Sequence, residues 1–187
     1  MDKKALRKET LAKRKEIYSA VIDTHIIDRF LASQYYHDCK WLMVYVSFGT
    51  EINTHELIRR ALADGKHVVA PICAENHTMI LSEIKNFPED LEEGHYGILE
   101  VKENCIRKVD PKKLDLVLLP GMAFMPDGGR MGFGGGYYDR FLETLSPDCI
   151  NLALIREDFI YESIPMDEHD KHADVLVTED RIIKCHE

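Results

Sequence analysis

Residues 41–71 read WLMVYVSFGTEINTHELIRRALADGKHVVAP, and they hold a complete strand–helix–strand unit. Residues 41–46 are a near-continuous apolar run of strand length. Asn53 is placed to cap a following helix with Glu56 reaching back, Leu57, Ile58, Ala61 and Leu62 supply its apolar face, and Gly65 ends it. Residues 67–71 (HVVAP) then form the second strand. Strands that are apolar throughout, instead of alternating, are buried on both faces, which is the condition of a parallel sheet.

The same reading extends outward. Residues 2 to 19 predict a charged helix with Leu6, Ile17 and Val21 as sparse apolar anchors. Asp23-Thr24 predicts the cap of a second helix carrying Ile26, Ile27, Phe30, Leu31 and Tyr35 on one side. Further strands are expected at 79–84, 114–119, 150–154 and 174–178, and no internal repeat is present. Strands alternating with helices define an α/β fold: a mostly parallel sheet with helices on both faces, a three-layer sandwich. Ligands collect beyond the carboxyl ends of the strands in such sheets. Residues 47–51 (SFGTE) follow the first strand and residues 130–140 (RMGFGGGYYDR) follow the strand at 114–119, so one shared cleft is expected.

A chain of 187 residues is expected to form one domain, 1–187, large enough to bury a full core. Its 24 basic against 33 acidic residues give a net charge of -9, which disfavours a nucleic-acid partner. Five widely spaced cysteines without a CxxC argue against a disulfide framework or a zinc site and read as reduced thiols. The N-terminal residues are charged, and no apolar run approaches the roughly 18 residues of a membrane span. A cytoplasmic protein with no membrane association is expected, and no obligate protein partner is evident.

Four glycines within residues 132–136 allow backbone N–H groups to approach a bulky anion, with Arg130, Asp139 and Arg140 as a charged frame. Tyr138, Phe141, Leu142 and Leu145 share one helical face, which would set the glycines before a helix N-terminus. Other phosphate signatures fail: the one Gly-Lys pair, Gly65-Lys66, precedes His67, and a dinucleotide fingerprint needs glycine where Tyr137 stands. Seven of the 24 basic residues lie in the first helix. Lys3, Arg7 and Arg14 form one stripe and Lys4, Lys8 and Lys15 the adjacent one, a pattern open to a solvated face or to phosphate binding.

Residues 129–142 (GRMGFGGGYYDRFL), with residues 118–124 (LLPGMAF) upstream, resemble the signature of the 5-formyltetrahydrofolate cyclo-ligase family, also called methenyltetrahydrofolate synthetases. The resemblance spans nearly the whole chain, through residues 3–7 (KKALR), 51–54 (EINT), Ile164-Pro165, His169-Asp170, Asp174 and Thr178-Glu179. It implies cyclisation of 5-formyltetrahydrofolate to 5,10-methenyltetrahydrofolate with ATP as co-substrate and Mg²⁺, through phosphorylation of the formyl oxygen. It implies Arg130 and Tyr137 as catalytic residues. ATP would be bound by Lys3, Lys4, Arg7, Arg130, Gly132, Gly134, Gly135, Gly136, Tyr137 and Tyr138, and the folate by Val46, Glu51, Phe133, the same three consecutive glycines and Tyr137. Asp139 and Asp170 would hold the metal. The chain departs from the family where Phe159 replaces a common glutamine, where Val101 replaces a common proline, and where Phe133 and Gly135 leave the loop without an interior cation. Competing readings are a non-catalytic folate-binding homologue, or a sugar-phosphate isomerase or CoA-transferase-like enzyme on a related scaffold.

Overall fold

The computed structural model describes residues 2–94 and 97–186. In chain order its helices and strands are α1 (Lys3–Glu16), α2 (Ala20–Leu31), α3 (Gln34–Asp38), β1 (Trp41–Met43), α4 (His55–Ala63), β2 (His67–Cys73), β3 (Met79–Ile84), β4 (Leu91–Glu93) and β5 (Leu99–Val101). They continue with β6 (Leu116–Leu118), β7 (Ala123–Phe124), β8 (Arg130–Met131), α5 (Tyr137–Phe141), β9 (Ile150–Leu154), β10 (Val175–Val177) and β11 (Ile182–Lys184).

The apolar runs assemble into a seven-stranded sheet ordered β11-β10-β9-β6-β1-β2-β3. The central strands from β10 to β2 are parallel, and only the edge strands β11 and β3 run antiparallel to their neighbours. In the centre Leu42 faces Val68 on one side and Leu116 on the other. The pleat sends alternate side chains to opposite faces. Leu42, Val44, Val68, Leu116 and Leu118 pack with Ile26, Ile27 and Phe30 of α2 and Leu57 and Ile58 of α4. Met43, Val69, Val117 and Ala153 pack on the other face with Phe124, Phe141 and Phe159. α1 lies outside the sheet's span, its Leu6 buried against Met122, Ala123, Met131 and Ile164.

Local details depart from expectation. Ser19 caps α2, its Oγ accepting from Ile22 N at 3.3 Å, while Asp23 lies inside the helix and is buried. Asp23 is free of capping duty because it has an ionic partner across the fold, Arg156. Thr54 holds the cap position of α4 and makes no side-chain cap bond there. Its Oγ1 donates instead to Tyr45 O at 2.6 Å, and Asn53 Oδ1 accepts from His55 N at 3.0 Å. Gly65 ends α4 with φ +78° as expected. Val21 is 64% exposed and anchors nothing. Tyr35 belongs to the separate α3, and α5 is five residues long. A β7–β8 hairpin intervenes between β6 and the glycine run, so that run does not leave the sheet directly. All five cysteines are free.

The β4–β5 hairpin is tied to the sheet by Asp90, whose Oδ2 accepts from Lys85 N at 2.8 Å, Asn86 N at 3.2 Å and Arg107 Nη1 at 2.7 Å. Burial alone would raise this carboxyl, but the Arg107 guanidinium and the two N–H groups outweigh it and hold it at about 2. A carboxyl lower in the folded than in the unfolded chain stabilises the fold above its unfolded value near 3.9, and that contribution disappears as pH falls through about 2. Asp90→Asn is therefore expected to cost about 2 kcal/mol at neutral pH and progressively less on acidification, measured by denaturant unfolding at several pH values.

Candidate active site

The chain following β1, the end of β2, β5 and the glycine run line one cavity of about 780 Å³ at the carboxyl edge of the sheet. Its apolar wall includes Tyr45, Val46, Ile72, Leu91, Ile98 and Val101. Phe48 and Phe133 line it with half-exposed rings.

The cavity's charged cluster is built on Arg130, which is only 4% exposed. Arg130 Nη1 donates to Pro120 O at 3.1 Å and Nη2 to Asp139 Oδ1 at 2.7 Å, while Nε has no partner among the described residues. Asp139 also accepts from Lys171 N at 3.0 Å. Lys3, entering from α1, donates to Asp170 and, at 2.6 Å, to Asp167. Burial opposes ionisation of Asp170, but the Lys3 ammonium, the Asp167 N–H and nearby Arg130 hold its carboxyl below the usual range. The same two aspartates, against the opposing effect of burial, raise the Lys3 ammonium.

Arg7 approaches the glycine run from α1, its Nε donating to Gly132 O at 2.9 Å. Gly134 has φ +103°, and a Cβ there would lie 3.4 Å from the Arg7 guanidinium carbon. The loop lacks an interior cation of its own, yet a guanidinium from α1 packs against it. A Cβ on Gly132 would lie 2.9 Å from Arg130 Nη1, so the absence of a side chain there lets the buried guanidinium lie under the loop. His77 packs on Tyr137 with ring centroids 5.2 Å apart, and Arg140 Nη1 donates to Asn76 O at 3.3 Å, linking the β2–β3 turn to the loop.

Glu51 lines the same cavity, with Oε2 accepting from Phe48 N at 2.8 Å. Burial raises its carboxyl, against the pull of the Phe48 N–H and of Arg14. The Tyr138 hydroxyl is pushed far up, first by burial and then by Tyr45, Glu51 and Cys73, with Arg130 opposing, so it is neutral and in electrostatic reach of both the Glu51 and Arg130 groups.

The two basic stripes of α1 separate. Lys3 and Arg7 line the cavity, whereas Lys4, Lys8 and Lys15 are exposed and lie outside its lining. Lys4 is thus not among the residues brought together, because it falls on the solvent side of α1. Arg14 is buried, donates to Gly121 O, and lies over the Phe133 and Phe159 rings at 5.9 and 5.5 Å. Arg14 stands on the expected stripe but is buried, Asp23 was expected as a helix cap and is instead an ion-pair partner, and Arg156 carried no expectation. Their pairing joins residues 133 positions apart, for which a single sequence carries no signal. Of the departures from the family pattern, Phe159 is fully buried in the core, whereas Val101 and Phe133 line the cavity.

An open α/β sheet with a cavity at its carboxyl edge, walled by apolar side chains and lined by cations and carboxylates, has the architecture of an enzyme for a small molecule. The family model for the 5-formyltetrahydrofolate cyclo-ligase family matches residues 1–179, and the chain belongs to that family. A probable 5-formyltetrahydrofolate cyclo-ligase of Caenorhabditis elegans is 35% identical over 172 residues, covering 84% of this chain and 82% of its own. The 5-formyltetrahydrofolate cyclo-ligase of Mus musculus is 29% identical over 171 residues, with 83% and 81% covered. The solved structure of the Aquifex aeolicus 5,10-methenyltetrahydrofolate synthetase is similar with a TM-score of 0.84 at 28% identity, covering 100% of this chain and 94% of that one. The chain is accordingly a ligase of folate metabolism. Among the described residues no helix is long and apolar enough to cross a membrane.

Because Arg130 is fixed by both Pro120 O and Asp139, it cannot yield cheaply to a new side chain at 132. Gly132→Ala is expected to displace the guanidinium from these partners and lower the melting temperature by several degrees, as read by thermal unfolding, because a buried cation loses the groups that compensate it.

Proposed function

We propose that this cavity cyclises 5-formyltetrahydrofolate to 5,10-methenyltetrahydrofolate, using ATP as the phosphoryl donor and Mg²⁺ as its counterion. The observation that carries the reading is the meeting, in one cavity, of buried Arg130 with its partner Asp139, the Lys3–Asp170 pair, the glycine run and an apolar wall bearing Glu51. A formamide oxygen is a poor leaving group. Its attack on the terminal phosphorus releases ADP and makes it a good one; the amine at folate position 10 then bonds to the formyl carbon and loses its proton. Phosphate departs with the former formyl oxygen.

Arg130, a planar fork already desolvated by burial, is assigned to the transferring phosphoryl group, with Tyr137 beside it at the junction of the two substrates. Lys3, Arg7, the backbone N–H groups of residues 132–136 and Tyr138 are assigned to ATP. Val46, Glu51, Phe133 and the shared glycines with Tyr137 are assigned to the folate, Glu51 accepting from pterin N–H groups.

The donor set suits Mg²⁺. Asp139 and Asp170 each commit one oxygen to protein donors, and the second oxygen of each has no protein partner among the described residues. No larger cluster of His, Cys, Asp or Glu gathers among the described residues, and Mg²⁺ commonly takes one or two carboxylates with phosphate oxygens and water. Held by these two aspartates, the ion would neutralise phosphate charge.

One sheet drawing its strands from residues 41 to 184 supports a single-domain enzyme, and five free thiols suit a reducing cytoplasm. No obligate protein partner is required by this reading.

Purified protein is expected to generate the near-ultraviolet absorbance of the methenyl product, with stoichiometric phosphate, only when 5-formyltetrahydrofolate, ATP and Mg²⁺ are all present. EDTA should abolish it, and turnover without ATP would defeat the mechanism. A non-catalytic folate-binding protein, by contrast, would bind the folate and release no phosphate.

Glu51 and Asp139 should fail differently. Glu51→Gln is expected to weaken folate binding by roughly 1 to 3 kcal/mol with nucleotide binding nearly unchanged. Asp139→Asn should keep folate binding and lose metal-dependent turnover, since an amide neutralises Mg²⁺ charge poorly. Calorimetric titration of each variant with folate and with Mg-nucleotide reads both effects, and an equal loss of one ligand in both variants would refute the division.

A further inference from the structure

Asp23 of α2 and Arg156, just after β9, meet in the interior at 3% and 2% exposure. Arg156 Nε lies 2.8 Å and Nη2 2.6 Å from Asp23 Oδ1. Tyr18 lies over the Arg156 guanidinium at 5.5 Å. The pair also reaches the neighbouring backbone. Arg156 Nη1 donates to Thr50 O at 3.3 Å, and Asp23 Oδ2 accepts from Asn53 N at 3.3 Å. The backbone is thus tied to the same ion pair on both sides of Glu51.

A buried ion pair is a poor source of stability, because the cost of removing both charges from water offsets most of their attraction, and apolar residues of similar volume often serve as well. What apolar residues cannot supply is a donor for Thr50 O and an acceptor for Asn53 N. The Glu51 side chain is already oriented within its own turn by the Phe48 N–H, so the remaining freedom of its carboxylate is that of the turn as a whole. The ion pair removes that freedom from two directions.

We propose that the Asp23–Arg156 pair is a positioning device for the folate end of the cavity: it fixes the turn that carries Glu51 and thereby sets affinity for 5-formyltetrahydrofolate without touching it. The proposal rests on the reading that Glu51 receives the folate. It makes the interior of α2 and the start of the chain after β9 determinants of substrate affinity.

The test is a pair of variants titrated with 5-formyltetrahydrofolate and, separately, with Mg-nucleotide, with thermal unfolding of each. In Asp23→Leu/Arg156→Met the ionic pair becomes an apolar one, which should hold the melting temperature near that of the unmodified protein. Its folate dissociation constant should rise about tenfold while the nucleotide constant stays within about twofold. Arg156→Lys keeps the charge but not the fork that reaches Asp23 and Thr50 together, and should shift the same way by a smaller factor. Should the double variant not fold, Arg156→Lys decides alone. Folded variants that bind folate like the unmodified protein would overturn the proposal, and so would equal loss of both ligands, the mark of general destabilisation. Failure of the underlying folate reading is distinguishable, since it appears as no folate binding by the unmodified protein.

Discussion

Burial of the sheet on both faces is the constraint from which the rest follows. Leu42 and Val44 are enclosed by helices on one side, and Met43 by an aromatic layer on the other. A parallel strand so enclosed has no room for polar side chains along its length. Chemistry is therefore displaced to where strands end, and the residues after β1, at the end of β2 and beyond β6 converge there on one cavity. Val44 still donates to Val69 O at 2.9 Å, after which the chain turns away and Tyr45, Val46 and Glu51 become cavity lining.

Within the cavity, two of the three lining cations already have an anion, while Arg7 donates to Gly132 O. Arg130 holds Asp139 and Lys3 holds Asp170, and Asp170 also feels Arg130. Such pairing keeps buried cations tolerable before any ligand arrives, since an isolated buried charge would carry a large desolvation penalty. An entering polyphosphate would meet donors preorganised by their own counterions, which suits stabilisation of developing charge at little cost in reorganisation. The Asp23–Arg156 pair, behind the Glu51 turn, extends the same principle to another wall of the cavity.

Much of this was readable from residue pattern. The unit at 41–71 yielded the parallel core because an apolar run, an amphipathic helix ending at Gly65 and a second apolar run agree with one another at every level. The glycine run and Arg130, Asp139 and Asp170 were legible because small residues and charges in that order match a specific resemblance. Caps were less legible. Ser19, Asp23, Asn53 and Thr54 are all chemically competent to cap, and which one does so depends on distant partners: Arg156 claims Asp23, and Tyr45 O claims the Thr54 hydroxyl. The short β7–β8 hairpin was missed because two-residue strands leave no periodicity to detect.

The sequence by itself determined the layer order, the edge of the sheet at which the cavity lies, and the family, since these rest on local periodicity, turn chemistry and contiguous motifs. Only the tertiary structure decided the fate of individual charges. Arg7, Lys4 and Arg14 belong to one helix, yet one lines the cavity, one faces water and one is buried against Phe133 and Phe159. The physical reason is that a charged side chain's role is set by its dielectric surroundings and by partners remote in sequence, and neither exists until the chain has folded.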